Sequence, residues 1–406
     1  MKKILSIVLF LSLNLLVKAQ IPILEIYKKQ AVDNNKGFQS HQMLHHAFLE
    51  KESQFSRLSD LQITAGYSPS PIETRLGAQT IQFSAVQKFP WFGTLQAKLD
   101  LFEADNAVHN KLLGQMEANL NHRVVKSWMK LYEVRLNKSI LRDQIELVTM
   151  LETMTLENLR TQANSSAIDV LNIGLKKEEW ENTLADLERF EKVEEFTFNT
   201  LLSRDLDTEI KTIDSLIKLD SLIPMNSGTV YEVNKQGLKT QAAHESIQLV
   251  EKKNNPTWSI GFKYFVVEEG VNAVSENGRD AYMVNLGLTI PFQVKHNKHA
   301  MMEATHKWHY EQIELEKVKE EYERLLASLI LDIEKHKRDF NHFTSLVEKV
   351  DRILKLSLQD YSHGNIDYST ILEILEKMLS IERNRIAAVI QQHTQISFYN
   401  SLFDLE

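Results

Sequence analysis

Apolar and polar positions along the chain follow two rhythms. Leu61, Ile63, Ala65 and Tyr67 alternate with Gln62, Thr64, Gly66 and Ser68, and Ile81, Phe83 and Ala85 alternate with Gln82 and Ser84. The same period returns at Trp258, Ile260, Phe262, Tyr264 and Val266, and again at Tyr282, Val284, Leu286, Leu288 and Ile290. A period of two sends successive side chains to opposite faces of a strand, so the pattern predicts β-hairpins at about 61–89 and 257–290. One face is apolar and the other small or polar, which suits a barrel with lipid outside and water inside. A soluble antiparallel sheet covered on one side by helices carries the same pattern and stays open at this point. Tyr67, Phe89, Trp91, Phe92, Trp258 and Tyr282 stand near strand ends, where interfacial aromatics sit.

After each hairpin the rhythm changes. From about Thr94 to about Glu157 there is no proline, and glycine occurs only at Gly114; Lys295 to about Leu358 has neither breaker. Phe340, Phe343, Val347, Val350 and Leu354 recur in steps of three and four, a coiled-coil spacing. A helix of roughly 60 residues reaches about 90 Å. With 7 prolines and 13 glycines in 406 residues, long uninterrupted helices dominate the expected structure.

The chain is written twice. Pro90 in KFPWFG and Pro291 in LTIPFQ stand 201 positions apart, as do Ala163 and Gly364, and Asn199 and Asn400. One shared offset over about a hundred residues indicates duplication of a whole unit. Gly66 and Gly261 pair at 195, so the second hairpin loop is expected to be six residues longer. The repeats are read as 20–202, with a tip turn at about 160–166, and 228–406, with a tip turn at about 361–367. Each runs helix, strand, loop, strand, long helix, turn, helix. Between them 203–227 is acid-rich and less regular, either a surface linker or a short crosswise helix.

Composition sharpens the location. Lys2 and Lys3 precede an apolar run from Ile4 to Val17, with Ala19 before Gln20, the three parts of a secretory signal over 1–19. No later stretch is apolar for long enough to make a spanning helix, so any membrane segment must be β-strand in a closed barrel. Four strands cannot close a membrane barrel, the smallest having about eight, so several copies must pool their strands. Cysteine is absent, which excludes disulfides and thiolate metal sites. The formal charge is −8, and losing Lys2, Lys3 and Lys18 with the leader makes it more negative, so no nucleic-acid partner is expected.

Signal, duplicated hairpins, KFPWFGTLQAK at 88–98 and two tip turns in this order resemble the TolC-type outer membrane efflux family over nearly the whole mature chain. Ala163, Asp169 and Val170 match the family's tip pattern; in the second copy Gly364 matches, but Thr370 and Ile371 replace the Asp-Val pair. The resemblance implies an α+β membrane protein in the outer membrane of a Gram-negative-type cell. A homotrimer would pool a 12-stranded β-barrel, continued by a long periplasmic α-helical barrel. It further implies passive conduction, with a periplasmic adaptor and an inner-membrane transporter as partners. Adaptor docking would fall on Gln162, Ala163 and Asn164 in the first tip and on His363, Gly364 and Asn365 in the second. Gly364 and Asn365 can also take left-handed conformations that reverse a helix. An entrance constriction would fall on Asp367, Thr370 and Glu373, where rings of three carboxylates favour cations and raise one another's pKa.

No nucleophile–base set and no phosphate-binding glycine loop is present, so neither an enzyme nor a cofactor is expected. Histidine is ambiguous. His41 and His45, and His296 and His299, are spaced as pairs on one helix face; as metal ligands they would favour heavy-metal efflux, and as isolated pairs they are polar surface. A non-channel periplasmic coiled-coil protein, structural or adhesive, remains the alternative class.

Overall fold

The computed structural model describes residues 23–55, 57–160, 166–212, 216, 228–270, 278–292 and 294–404, with the side chains of 294–296 outside that set. The leader at 1–19 therefore lies outside the described residues. In chain order the elements are α1 (23–34), α2 (Lys36–Leu49), α3 (Glu52–Phe55), β1 (Gln62–Thr74), β2 (Gly77–Phe89) and α4 (Thr94–Arg160). Then come α5 (Ala167–Leu201), β3 (Thr229–Val230), α6 (Tyr231–Lys253), β4 (Thr257–Glu268), β5 (Ala281–Thr289), α7 (Val294–Ser362), α8 (Tyr368–Ser401) and β6 (Phe403–Asp404). The two long helices run 67 and 69 residues, slightly beyond the breaker-free stretches that predict them. Contacts divide the chain into two units that cut across both repeats. One comprises Met1–Gln42, Leu113–Tyr231 and Glu320–Glu406, the other Met43–Leu112 and Glu232–Lys319.

The second of these units carries an antiparallel sheet in the order β1-β2-β4-β5. Its register turns the sequence alternation into continuous rows. Ile63, Ala85, Phe262 and Val284 lie side by side, as do Ala65, Phe83, Tyr264 and Tyr282. The opposite face aligns Gln62, Val86, Gly261 and Asn285, then Thr64, Ser84, Lys263 and Met283. Strands of 13, 13, 12 and 9 residues meet the roughly 9–11 that a tilted strand needs to cross a bilayer. Phe89 stacks on Trp258 at 4.4 Å at one end of the sheet.

The stretch between the two alternating runs of the first hairpin is strand almost throughout, with only Arg75 and Leu76 between β1 and β2. Pro69 and Pro71 obscured this in the sequence. The register of β1 against β2 slips between Tyr67 and Ile72, so Pro69 and Pro71 fall in an irregularity where the ladder to β2 needs no donor from them. Below the sheet, Phe48 of α2 stacks on Phe102 of α4 at 5.1 Å, and Gln236 of α6 donates to Glu311 of α7 at 2.6 Å.

The other unit is a helical body with two apolar centres. Val124, Val125, Trp128, Met129, Leu131 and Tyr132 of α4 pack with Tyr27, Phe198, Leu202, Ile386 and Val389. Leu141, Val148 and Leu151 of α4 meet Ile173 and Trp180 of α5, Leu354 and Tyr361 of α7, and Ile371 and Leu375 of α8. Of the α7 rhythm, Val350 and Leu354 are buried, while Phe343 and Val347 are half-buried. Gly114 is explained by a close approach: a Cβ there would meet the Tyr231 ring at 3.1 Å.

Past α5 the described residues 203–212 form no helix and are held by side chains. Fully buried Asn199 donates to the carbonyls of Leu206 and Thr208 at 2.6 and 2.9 Å and accepts from Arg204 Nε at 2.7 Å. Trp128 Nε1 donates to the Lys211 carbonyl at 3.1 Å. Arg135 donates to Glu191, Glu195, the Ile210 carbonyl and Thr212. The pairing of β3 with β6 has no counterpart in the sequence reading, because two residues are too few to show a period.

His122 adds a pH dependence to this body. Burial, with Lys126 nearby, pushes its pKa down from 6.5 to about 4, and its Nδ1 lies 3.2 Å from Ser397 Oγ. The unfolded chain takes up this proton near pH 6.5 and the folded chain only near 4, so stability falls as pH drops through that window. The full difference is on the order of 3 kcal/mol. Melting temperature followed from pH 7 to 4 should drop more steeply for the natural chain than for His122→Gln.

Candidate functional site

The second tip turn is built by hydrogen bonds that close α7. Asn365 N donates to the Asp360 carbonyl at 3.0 Å and Gly364 N to the Tyr361 carbonyl at 3.0 Å, the paired bonds of a Schellman ending. Gly364 takes the left-handed conformation, with φ of 75°, and open space where a Cβ would stand. Asn365 does not share it: among the described non-glycine residues only Ser203 has a positive φ. One left-handed residue suffices, since the motif needs it only at the position after the cap. His363, Gly364 and Asn365 are all exposed. Gln162, Ala163 and Asn164 lie outside the described residues.

The two copies start their return helices differently. In α5 Ser166 and Asp169 form a reciprocal capping box, Ser166 N donating to Asp169 Oδ2 at 2.7 Å and Asp169 N to Ser166 Oγ at 3.3 Å. At the same offset of 201 the second copy has Asp367 and Thr370. Asp367 caps α8 without a side-chain hydrogen bond, so its carboxylate is left exposed and uncommitted. Thr370 and Glu373 are also exposed, whereas Ile371 and Leu375 on the other side of the helix are buried. The structure thus brings Asp367, Thr370 and Glu373 together on one open flank of α8.

Two tyrosines tie this tip to the first repeat. Buried Tyr361 places its hydroxyl 2.5 Å from Thr155 Oγ1 on α4, and Tyr368 accepts from Asn172 Nδ2 of α5 at 2.9 Å. Beside them lies a groove of about 680 Å³ whose lining includes Asn158, Asp169, His363 and Asp367. Neither tyrosine stood out in the sequence, where each reads as an ordinary helix aromatic; their spacing across the turn was the available signal.

The histidine pairs are less organised. His41 and His299 are exposed, His45 is half-buried with Nδ1 lacking a hydrogen-bond partner, and the His296 side chain lies outside the described set. Among the described residues no group of three or more His, Cys, Asp or Glu has a metal-holding arrangement.

The sheet is the other candidate surface. Its apolar rows are open: Leu286 is 81 % exposed, Tyr282 75 % and Ile63 74 %. No described helix is long and apolar enough to cross a membrane.

At the level of sequence no protein-family model and no curated protein matches the chain. Solved structures do. The outer-membrane channel OprN aligns over 94 % of this chain and 90 % of its own, with a TM-score of 0.75 at 14 % identity. CusC, from work on transmembrane channel formation, aligns over 94 % and 92 %, with a TM-score of 0.79 at 12 % identity. The outer membrane protein VceC of Vibrio cholerae aligns over 93 % and 95 %, with a TM-score of 0.74 at 11 % identity. The chain therefore has the fold of the TolC-type outer membrane channels, as the resemblance implied.

Proposed function

We propose that this chain is one protomer of a passive exit duct in the outer membrane. Three copies pool their four-stranded sheets into a 12-stranded barrel, and their long helices continue as a tunnel through the periplasm. A periplasmic adaptor docks on the tips at Gln162–Asn164 and His363–Asn365, and an inner-membrane transporter supplies the energy. The observation that carries this reading is the sheet: its apolar rows are uncovered across all four strands while the opposite face is mostly small or polar, and lipid is the solvent that suits such a surface. The chain performs no catalysis in this scheme, and selection of cargo belongs mainly to the transporter.

At the entrance, Asp367 and Glu373 from three copies form two carboxylate rings, which favour cations. The test is conductance of the detergent-purified protein in planar bilayers, with the mass of the particle measured alongside. Discrete channels from a trimer are expected, and Asp367→Asn with Glu373→Gln should lower cation preference and leave trimer mass unchanged. A monomer that never inserts would sink the duct. Channels with unaltered selectivity would remove only the two carboxylates from the entrance.

A further inference from the structure

The helical body holds a second groove, of about 420 Å³, which neither the tips nor the sheet involves. Its wall on α4 carries Arg123, Lys126 and Lys130, each about one turn from the next, and its floor includes Leu201 of α5 and Ile390 of α8. At 100° per residue these three cations lie about 140–160° around α4 from Trp128. Trp128 and Arg135 face the chain at 210–212, so that segment lies on the other flank of the helix.

The charges in the groove are not all spent. Lys130 pairs with Glu133 at 3.0 Å, whereas Arg123 and Lys126 make no ion pair among the described residues and are exposed. Glu194 on α5 also lines the groove and offsets part of the positive charge. Next to Lys126, one helical turn on from Arg123, stands Ser127, 8 % exposed, whose Oγ is buried and has no hydrogen-bond partner among the described residues. A helical serine ordinarily bonds back to the preceding turn, as Thr149, Thr155 and Thr197 do here. A buried hydroxyl left unpaired costs the fold and is relieved by an acceptor entering the groove. Two cations, an unsatisfied donor and an apolar floor together describe one kind of ligand.

We propose that this groove binds an anionic amphiphile, its phosphate, sulfate or carboxylate head between Arg123 and Lys126 with Ser127 donating, and its apolar part on Leu201 and Ile390. Binding follows from the groove alone. Its meaning as a cargo station rests on the duct reading, in which anionic amphiphiles then belong to the transported class.

The test uses the full chain in nonionic detergent, titrated calorimetrically with octyl phosphate below its micelle concentration. Saturable binding is expected, weakened by salt. Arg123→Gln with Lys126→Gln should reduce affinity about tenfold or more, since two charge-assisted contacts are lost. Ser127→Ala should weaken it a few-fold with both charges intact. Inorganic phosphate binding at the same stoichiometry supports head-group recognition. Equal binding of octyltrimethylammonium, or unchanged octyl phosphate binding in the double variant, overturns the proposal. Loss of the trimer in the double variant, with no octyl phosphate binding to the natural chain, would assign the groove to contact between copies instead. Bilayer conductance of the same variant separates the two readings: intact channels without octyl phosphate binding reject the groove and leave the duct standing.

Discussion

Lysine in place of Val284 should abolish assembly of the chain in a bilayer, while lysine in place of its neighbour Asn285 should be tolerated. Val284 ends the row Ile63, Ala85, Phe262 and Val284, near the middle of the sheet, and is 65 % exposed. Asn285 sits on the opposite face opposite Gly261. A lysine on the lipid face near the bilayer midplane costs about 2–4 kcal/mol, and one facing water costs little. In the proposed trimer three copies repeat the penalty, for a total of about 6–12 kcal/mol. The heat-resistant oligomer in membrane extracts reports the result. If Val284→Lys and Asn285→Lys assemble equally well, the apolar face does not meet lipid, and the sheet belongs instead against protein.

That contrast depends on a register that the sequence already indicates. Alternation at 61–67, 81–85, 258–266 and 282–290 is long enough to identify strands and to assign each residue to a face. Long breaker-free stretches likewise mark α4 and α7, and the repeated offset of 201 brings the two halves into correspondence. What could not be read is equally physical. β1 continues past two prolines because its register slips there and the ladder to β2 does not need their donors. The two-residue pairing of β3 with β6 is held by its position after the fold forms, not by any local pattern.

The candidate site was legible in part for the same reason. Gly364 announces a helix reversal, since few other residues accept a positive φ. Asp169 looked like a motif residue and proves to be half of a capping box; the second copy has Thr370 in its place, and there Asp367 caps α8 without a side-chain hydrogen bond. Thr155 with Tyr361, and Asn172 with Tyr368, are 206 and 196 residues apart, and no local rule connects such pairs. Arg123, Lys126 and Lys130 read as a solvated helix face until α5 and α8 are seen to complete a groove around them. Spacing finds neighbours on one element; sites made by several elements need the packing.

Arg135→Met should destabilise the helical body by about 2–4 kcal/mol and release the chain at 203–212. Replacing one partner of a buried pair costs about 3–5 kcal/mol because the other charge is left unpaired; the lower figure allows for side chains that keep some exposure. Here one guanidinium serves Glu191 at 2.7 Å, Glu195 at 2.9 Å, the Ile210 carbonyl at 2.8 Å and Thr212 at 2.7 Å. Lys138 remains on Glu191 at 2.5 Å, so Glu195 and the carbonyl suffer most. Burial alone would raise the Glu191 pKa, but hydrogen bonds from Lys138 and Arg135 hold it below 4.5. A carboxylate with a depressed pKa contributes stability above its unfolded value and loses it as pH falls through the folded one. The gap between natural chain and variant should therefore be full at pH 7 and narrow as acid protonates Glu191. Arg135→Lys should fall between them, since an ammonium keeps the charge but cannot reach four acceptors in one plane. Limited proteolysis near Arg204 and Lys211, read with melting temperature, separates local release from general weakening. A variant within about 0.5 kcal/mol of the natural chain and equally resistant to cleavage would show that Trp128 and Asn199 hold the segment without Arg135.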